Sequence, residues 1–310
     1  GDSSSRGNPS VGGVHLFNGN LFMRSVDLAV PGRGLSFAVE RTYNSYDWQF
    51  EADYGGVPAN RPWRFNFEQR IGFVPGTNSK RLYYARADGS GESYFLLNGN
   101  WVPVDLGNFS KVVANGDGSY SIQTRGQVSY TFEAPSGTGR LRNMKDRDGN
   151  AIAYAYGGNG KVNAITDSTG RAYSVTYDAQ GRVYRVTDFT GRFVQYTYTD
   201  TSTTNARIAQ FQDVRGGITT YTYNASNDLT TITDPRGNTA LTARYTTVYG
   251  NRGVRSLTTA IGRATGGRTC GGLTDFTYCF SYTELANSAG FRTTVDGPEN
   301  AAVMTVDFDN

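Results

Sequence analysis

Five copies of one short phrase constrain this chain more than any other feature. Asp146-Arg-Asp148-Gly149, Asp167-Ser-Thr-Gly170, Asp188-Phe-Thr-Gly191, Asp213-Val-Arg-Gly216 and Asp234-Pro-Arg-Gly237 share the frame Asp-x-x-Gly, with aspartates 21, 21, 25 and 21 residues apart. A fixed period of this size signals a repeat architecture. The residues between keep phase with it. Ten positions after the first four aspartates stand Tyr156, Tyr177, Tyr198 and Tyr223; in the fifth unit Arg244 holds that position, with Tyr245 beside it. Eight positions after stand Tyr154, Val175, Tyr196 and Tyr221, and six after stand Ile152, Tyr173, Val194 and Thr219. Small or polar residues fill the places between, such as Ala153, Ser174, Gln195 and Thr220. This is the period of a β-strand with one large apolar face.

A second short element precedes each following turn: Val162/Ile165, Val183/Val186, Ile208/Phe211, Leu229/Ile232 and Val254/Leu257. Each unit therefore reads as strand, turn, strand. Asp at the head of a type I turn accepts hydrogen bonds from the turn amides, and the glycine supplies the positive-φ residue that returns the chain to a strand. One hairpin cannot bury a tyrosine face alone, so Tyr156, Tyr177, Tyr198 and Tyr223 are predicted to form one ladder across stacked units. The longer unit gains its four residues in the polar run Thr201 to Asn205.

Upstream, residues 1–13 read as a loose Ser/Gly-rich lead-in. Leu21 to Val30 and Leu35 to Tyr43 alternate large residues across Pro31-Gly-Arg-Gly34 and should pair, with Phe22, Val26, Leu28 and Val30 on one face. Tyr46 to Arg61 is irregular, and Trp63-Arg-Phe65-Asn-Phe67 restores alternation. Arg81 to Phe132 reads as a meander with glycine turns, feeding directly into the repeats. The expected division is residues 14–140 as an N-terminal β domain and 141–310 as the repeat region, regular over 146–257 and degenerate over 258–310. The fold class is all-β. Aromatic content of 13%, with 21 tyrosines and 39 glycines, agrees with that.

Net charge is +3, with 30 basic and 27 acidic residues dispersed through the chain, which is not the clustered footprint of a nucleic-acid binder. No apolar run reaches the length of a membrane helix, and no charged-then-apolar leader stands at the start.

Asp167-Ser-Thr-Gly-Arg171 with Tyr177-Asp-Ala-Gln-Gly-Arg182 resembles the YD repeat of the Rhs (rearrangement hotspot) family. The run Asn18-Gly-Asn-Leu21, Asp27-Leu28, Pro31-Gly-Arg-Gly34 and Arg41-Thr-Tyr-Asn-Ser45 resembles the domain that opens such proteins. The resemblance covers most of residues 14–257. It implies a β-sheet spiral, an open arc of a hollow β-shell, preceded by a β-meander domain, as in Rhs toxins, the Tc toxin C component and the teneurin shell. In those relatives the shell encloses a C-terminal toxin or serves as a cell-surface scaffold. The family's self-cleaving segment, an Asp-Pro-x-Gly-Leu-like motif, is not recognisable here: Asp234-Pro-Arg-Gly237 is followed by Asn238 and is the fifth repeat turn.

Catalytic readings find little to build on. His15 is the single histidine and sits beside an apolar hairpin, so a structural role is favoured and a histidine-based metal centre is excluded by count. Asp146 and Asp148 resemble the start of a calcium loop, without the glutamate that would complete it. Glu51, Asp53, Glu68 and Glu92 could form a glycosidase pair only if the fold brought two together. Trp48, Trp63 and Trp101 are candidates for stacking on sugars, with core packing favoured for Trp63 and Trp101. Cys270 and Cys279 bracket a glycine-containing loop and are expected to be bonded, the alternative being two buried thiols. The Asn108 and Asn224 sequons read as incidental.

The chain is therefore expected to be a non-catalytic shell segment of a secreted or delivered Rhs-type protein, without cofactor or metal, lying outside the cell. Its partners would be the rest of the same polypeptide and its toxin cargo, or another protomer at an open strand edge near Val303 to Phe308. The alternative is an extracellular adhesion or glycan-binding module on the same repeats.

Overall fold

The computed structural model describes residues 10–46, 62–105, 107–136, 139–201, 207–248, 251–259, 270, 276–285, 290–297 and 303–309. Trp48, Glu51, Asp53 and most of the Thr201 to Asn205 run lie outside them. Every regular element among the described residues is a strand. Seventeen of them, from β10 (Lys111–Ala114) to β26 (Val303–Asp309), form one antiparallel sheet in strict chain order, and its first and last strands are not paired with each other. This is the wall.

Three smaller sheets come from the N-terminal part: β1 (Ser10–Val11) with β2 (Val14–His15); β3 (Phe22–Ala29), β4 (Ala38–Asn44) and β5 (Trp63–Phe65); and β6 (Arg70–Phe73) to β9 (Asn100–Pro103). The predicted pairing of β3 with β4 is present. The Arg81 to Phe132 meander is not one sheet. Its first three strands join the four-stranded sheet, whereas β10, β11 (Tyr120–Gln123) and β12 (Ser129–Phe132) open the wall. β9 ends at Pro103, although the Val104 amide still donates to the Ser93 carbonyl at 2.9 Å before the chain leaves that sheet.

The turns behave as their composition dictates. In all five, one carboxylate oxygen of the aspartate accepts the amides two and four residues ahead, at 2.8–3.1 Å. The glycine takes φ between +82° and +90°, a region that a Cβ makes unfavourable. Asp178 caps its turn in the same way, and Asn224 accepts the amide four residues ahead.

The apolar pairs of the second strand are three residues apart, a spacing that plain alternation would send to opposite faces. A β-bulge resolves this in every unit. Tyr156 opposes Val162 while Ala155 opposes Ala164, so Asn163 is the extra residue, and both Val162 and Ile165 are buried. The same shift stands beside Tyr177, Tyr198, Tyr223 and Tyr245. The fifth unit's displaced tyrosine is accounted for by a second bulge between Ile232 and Thr233, which absorbs one residue and returns Tyr245 to the ladder.

The ladder works through hydroxyls. The hydroxyl of Tyr156 donates to the Leu141 carbonyl, Tyr177 to Val162, Tyr198 to Val183 and Tyr223 to Ile208, each fifteen residues back at 2.7–2.8 Å, and Tyr245 donates to Leu229 at 2.8 Å. Between β15 (Val162–Thr166) and β16 (Ala172–Tyr177) the ladder pairing ends at Ala164, so the tyrosine reaches a carbonyl beyond the paired residues. A column of cations, sixteen residues before each of the first four tyrosines, interleaves with the rings. Arg140 lies 4.4 Å from the Tyr156 ring centre, Lys161 5.3 Å from Tyr177 and Arg182 4.3 Å from Tyr198. Arg182 and Arg207 also donate to the carbonyls of Asp200 and Asn227, 2.6 and 3.0 Å away, and Lys161 to that of Gly181.

Tyr177→Phe keeps the ring and removes one of these hydrogen bonds. Urea unfolding is expected to show a loss of about 1–2 kcal/mol, and Tyr177→Leu a larger one because the ring and its lysine contact also go. A second expectation concerns acid. Burial alone would raise the carboxyls of Asp167 and Asp188, but hydrogen bonds from Arg171 and Thr169, and from Thr190 and Arg192, hold them below the usual range. Groups lowered on folding stabilise above their unfolded pKa, and that contribution is lost as pH falls through the folded value. The melting temperature should therefore hold from neutrality down to about pH 4 and fall below it, and less steeply in Asp167→Asn/Asp188→Asn.

Candidate functional site

The wall's apolar face is covered by the N-terminal strands. Phe37 meets Tyr173, Phe65 meets Tyr196 and Trp63 meets Tyr221, with ring centres 4.9–5.1 Å apart, so three aromatics in or beside the small sheet each meet a tyrosine of a successive unit. Trp63 Nε1 donates to the Tyr223 hydroxyl at 2.8 Å, and the Leu229 amide donates to the Tyr43 hydroxyl at 3.0 Å. Arg171, while bound to its own turn aspartate, donates to the carbonyls of Pro31 and Val30 at 2.8 and 3.0 Å. Farther along, the Val254 amide donates to Gly19 at 2.9 Å. Gly19 and Gly253 approach so closely there that a Cβ on Gly19 would stand 2.8 Å from the Gly253 Cα.

An ion pair lies at the centre of this seam. Arg41 Nε donates to Asp27 Oδ2 at 2.7 Å, and both side chains are 2% exposed. The Tyr196 hydroxyl donates to the same oxygen at 2.7 Å, and Arg41 Nη2 donates to the Tyr221 hydroxyl at 2.5 Å. The guanidinium lies over Phe211, Trp63 and Tyr221, 4.6–5.0 Å from their centres. Burial pushes the Asp27 carboxyl up, outweighing the attraction of Arg41. Burial also opposes charge on Arg41, but Asp27 and the two tyrosines more than compensate and hold it protonated.

Sequence alternation places Asp27 outward and Val26 and Leu28 together. A bulge between Val26 and Leu28 reverses this: Val26 is 59% exposed, Leu28 is buried, and Asp27 turns into the seam. Arg41 carried a signal, since it stands in phase with Leu35, Phe37, Val39 and Tyr43 on the inward face. The two carboxylate candidates among the described residues have separate partners. Glu92 is buried and engaged by Arg86, Tyr94 and Asn108, and Glu68 accepts the Phe65 amide. His15 is buried against Phe22, and Asp146 uses both oxygens within its own turn. Trp63 is core, and Trp101 is half-buried against Phe73 and Tyr120. Cys270 and Cys279 are disulfide-bonded.

An open antiparallel wall of register-locked hairpins, sheathed on its apolar face by its own N-terminal strands, defines a β-shell protein of the YD-repeat class. Family models agree with that description. "Domain of unknown function (DUF6531)" matches residues 12–94, and "Teneurin YD-shell" matches residues 100–252. Both matches are consistent with the Rhs/YD-repeat family, which the chain resembles. No curated protein matches it. Among solved structures, a TcdB2-TccC3-Cdc42 crystal structure is similar over 94% of this chain and 15% of that chain, with 14% identity and a TM-score of 0.35; a TcdB2-TccC3-TEV structure gives the same values. A Photorhabdus luminescens Tc holotoxin pore is similar over 95% of this chain and 14% of that one, with 13% identity and a TM-score of 0.34. The chain thus spans a small part of the length of those chains.

Arg41→Met should destabilise the fold by about 3–5 kcal/mol in urea, because it leaves the Asp27 carboxylate buried without its cation. Adding Asp27→Asn to that variant should recover part of the loss. A double variant no more stable than Arg41→Met would refute the assignment of that loss to uncompensated charge.

Proposed function

We propose that this chain is a non-catalytic arc of a protein shell, whose work is to wall off a toxin cargo belonging to the same polypeptide until delivery outside the producing cell. The observation that supports it is the unbroken seventeen-stranded sheet, in which bulge, tyrosine and cation recur in fixed register. An enclosure needs this mechanical continuity and needs no tuned acid, base or nucleophile. Residues 141–310 would form the repeat part of the wall and residues 14–140 its N-terminal unit, with the strands from Lys111 to Phe132 belonging to the sheet of the former. The continuation of the polypeptide, or another protomer, would meet the edge of β26. No helix among the described residues is long and apolar enough to cross a membrane.

The experiment is protease protection of the natural full-length protein that contains this arc. The cargo should survive trypsin at neutral pH in the wild type and be degraded in Arg41→Met, where the sheath is loosened. Cargo cleaved equally in both would remove the enclosure reading. Turnover of a glycan or peptide panel by residues 1–310, abolished by one carboxylate substitution, would remove the non-catalytic one.

A further inference from the structure

Where β3, β4, β7 (Arg81–Ala85) and the wall strands β12 to β14 (Ala151–Tyr156) meet, the packing leaves a cavity of about 580 Å³. This lies within the range of small-molecule sites and well above the space a few packing defects leave. Its apolar lining includes Phe37, Met144 and Ile152. Two tyrosines, Tyr130 and Tyr154, complete that side. Tyr154 is 9% exposed, and neither its hydroxyl nor that of Tyr130 hydrogen-bonds to any described residue. That sets Tyr154 apart from the ladder tyrosine two residues on, whose hydroxyl donates to the Leu141 carbonyl. Polar groups in such an environment are ordinarily satisfied by water or a ligand.

The charged groups at the cavity already pair with one another. Arg24 directs both Nε and Nη2 at a single oxygen of Glu40, Oε2, leaving Oε1 without a described partner. Arg86 donates to Glu92 at 2.9 Å and lies 4.0 Å from Asp88. Asn66 and Gln69 are spent on backbone and on Tyr84. Arg86 shares its one charge between Glu92 and Asp88, and Asp88 also accepts from the Ser90 amide and hydroxyl, so the small excess of charge is negative, already engaged, and does not select an anion. What is free is hydroxyl chemistry beside aromatic and aliphatic faces, with one carboxylate oxygen as acceptor.

We propose that this cavity binds a small neutral saccharide, its C–H faces against Tyr130, Tyr154 and Phe37 and its hydroxyls on the two phenols and on Glu40 Oε1. The proposal is independent of enclosure, and each can fail alone. Residues 1–310 would be titrated with maltose, cellobiose, lactose and N,N′-diacetylchitobiose by saturation-transfer NMR and calorimetry, with trialanine and sucrose octasulfate as charged probes. At least one neutral disaccharide should bind with one-to-one stoichiometry, and Tyr154→Phe should weaken it about tenfold, the loss expected for one buried hydrogen bond, with unchanged melting. Glu40→Gln, at the solvent side, should weaken it as well, and supplies the test should Tyr154→Phe fold poorly. Absence of binding by all four disaccharides at millimolar concentration would overturn the proposal. So would binding indifferent to Tyr154→Phe and Glu40→Gln, or a Tyr154-dependent preference for either charged probe.

Discussion

The hydrogen bond from a tyrosine hydroxyl to a carbonyl fifteen residues back is the interaction on which the wall depends. A bulge in every unit brings two apolar residues, three apart, onto the same face, but it also interrupts the ladder and increases local twist. An interrupted ladder exposes backbone groups that must find partners elsewhere. The tyrosine supplies one at the interruption, from the neighbouring strand, so the correction for one unit comes from the next. The cations between the rings add a second link of the same period, through ring face and carbonyl together. Neither group would be needed in a flat, unbulged sheet, and a bulged one without them would be free to slip.

What the sequence revealed follows from this arrangement. Turn, strand and tyrosine are local and periodic, so their phase could be read directly. The three-residue spacing of Val162/Ile165 and its copies was itself the mark of a bulge, and the 21-residue spacing of Arg140, Lys161 and Arg182 was present in the letters too. The docking of the N-terminal strands was not legible. Its partners, such as Arg41 and Tyr221 or Tyr43 and Leu229, are about 180 residues apart, and no local pattern encodes that pairing. Asp27 was hidden for a different reason, because one bulge inverts the face that alternation assigns. The cavity was likewise invisible, since Tyr130 and Tyr154 look like any other inward tyrosines until their hydroxyls are followed.

The chemistry of the chain is correspondingly quiet where the wall is made. Burial raises the phenols of Tyr156 and Tyr223 far above the physiological range, so they act as neutral donors throughout it. The turn carboxylates are held ionised by amides and guanidinium groups. Titratable groups that are numerous yet fixed in one state suit a scaffold, because they hold geometry over a broad pH range and leave few groups poised to move a proton.

A wall of near-identical units raises a difficulty that the buried ion pair resolves. A sheath that recognised only an apolar tyrosine face could dock one unit too early or too late with similar burial. Asp27 and Arg41 require two consecutive units that both present a hydroxyl at the same position. Along the series Tyr154, Val175, Tyr196 and Tyr221, only the last two are consecutive tyrosines. A shift by one unit either way would set one member of the pair against Val175, or against Ala243 of the fifth unit, and take from it the tyrosine hydroxyl it uses here. Buried ions of this kind add little net stability compared with apolar residues, but they penalise each wrong alignment heavily. Irregularity at the eighth position of the repeat, which looks like loss of pattern, is therefore what gives a periodic wall a single address for its sheath.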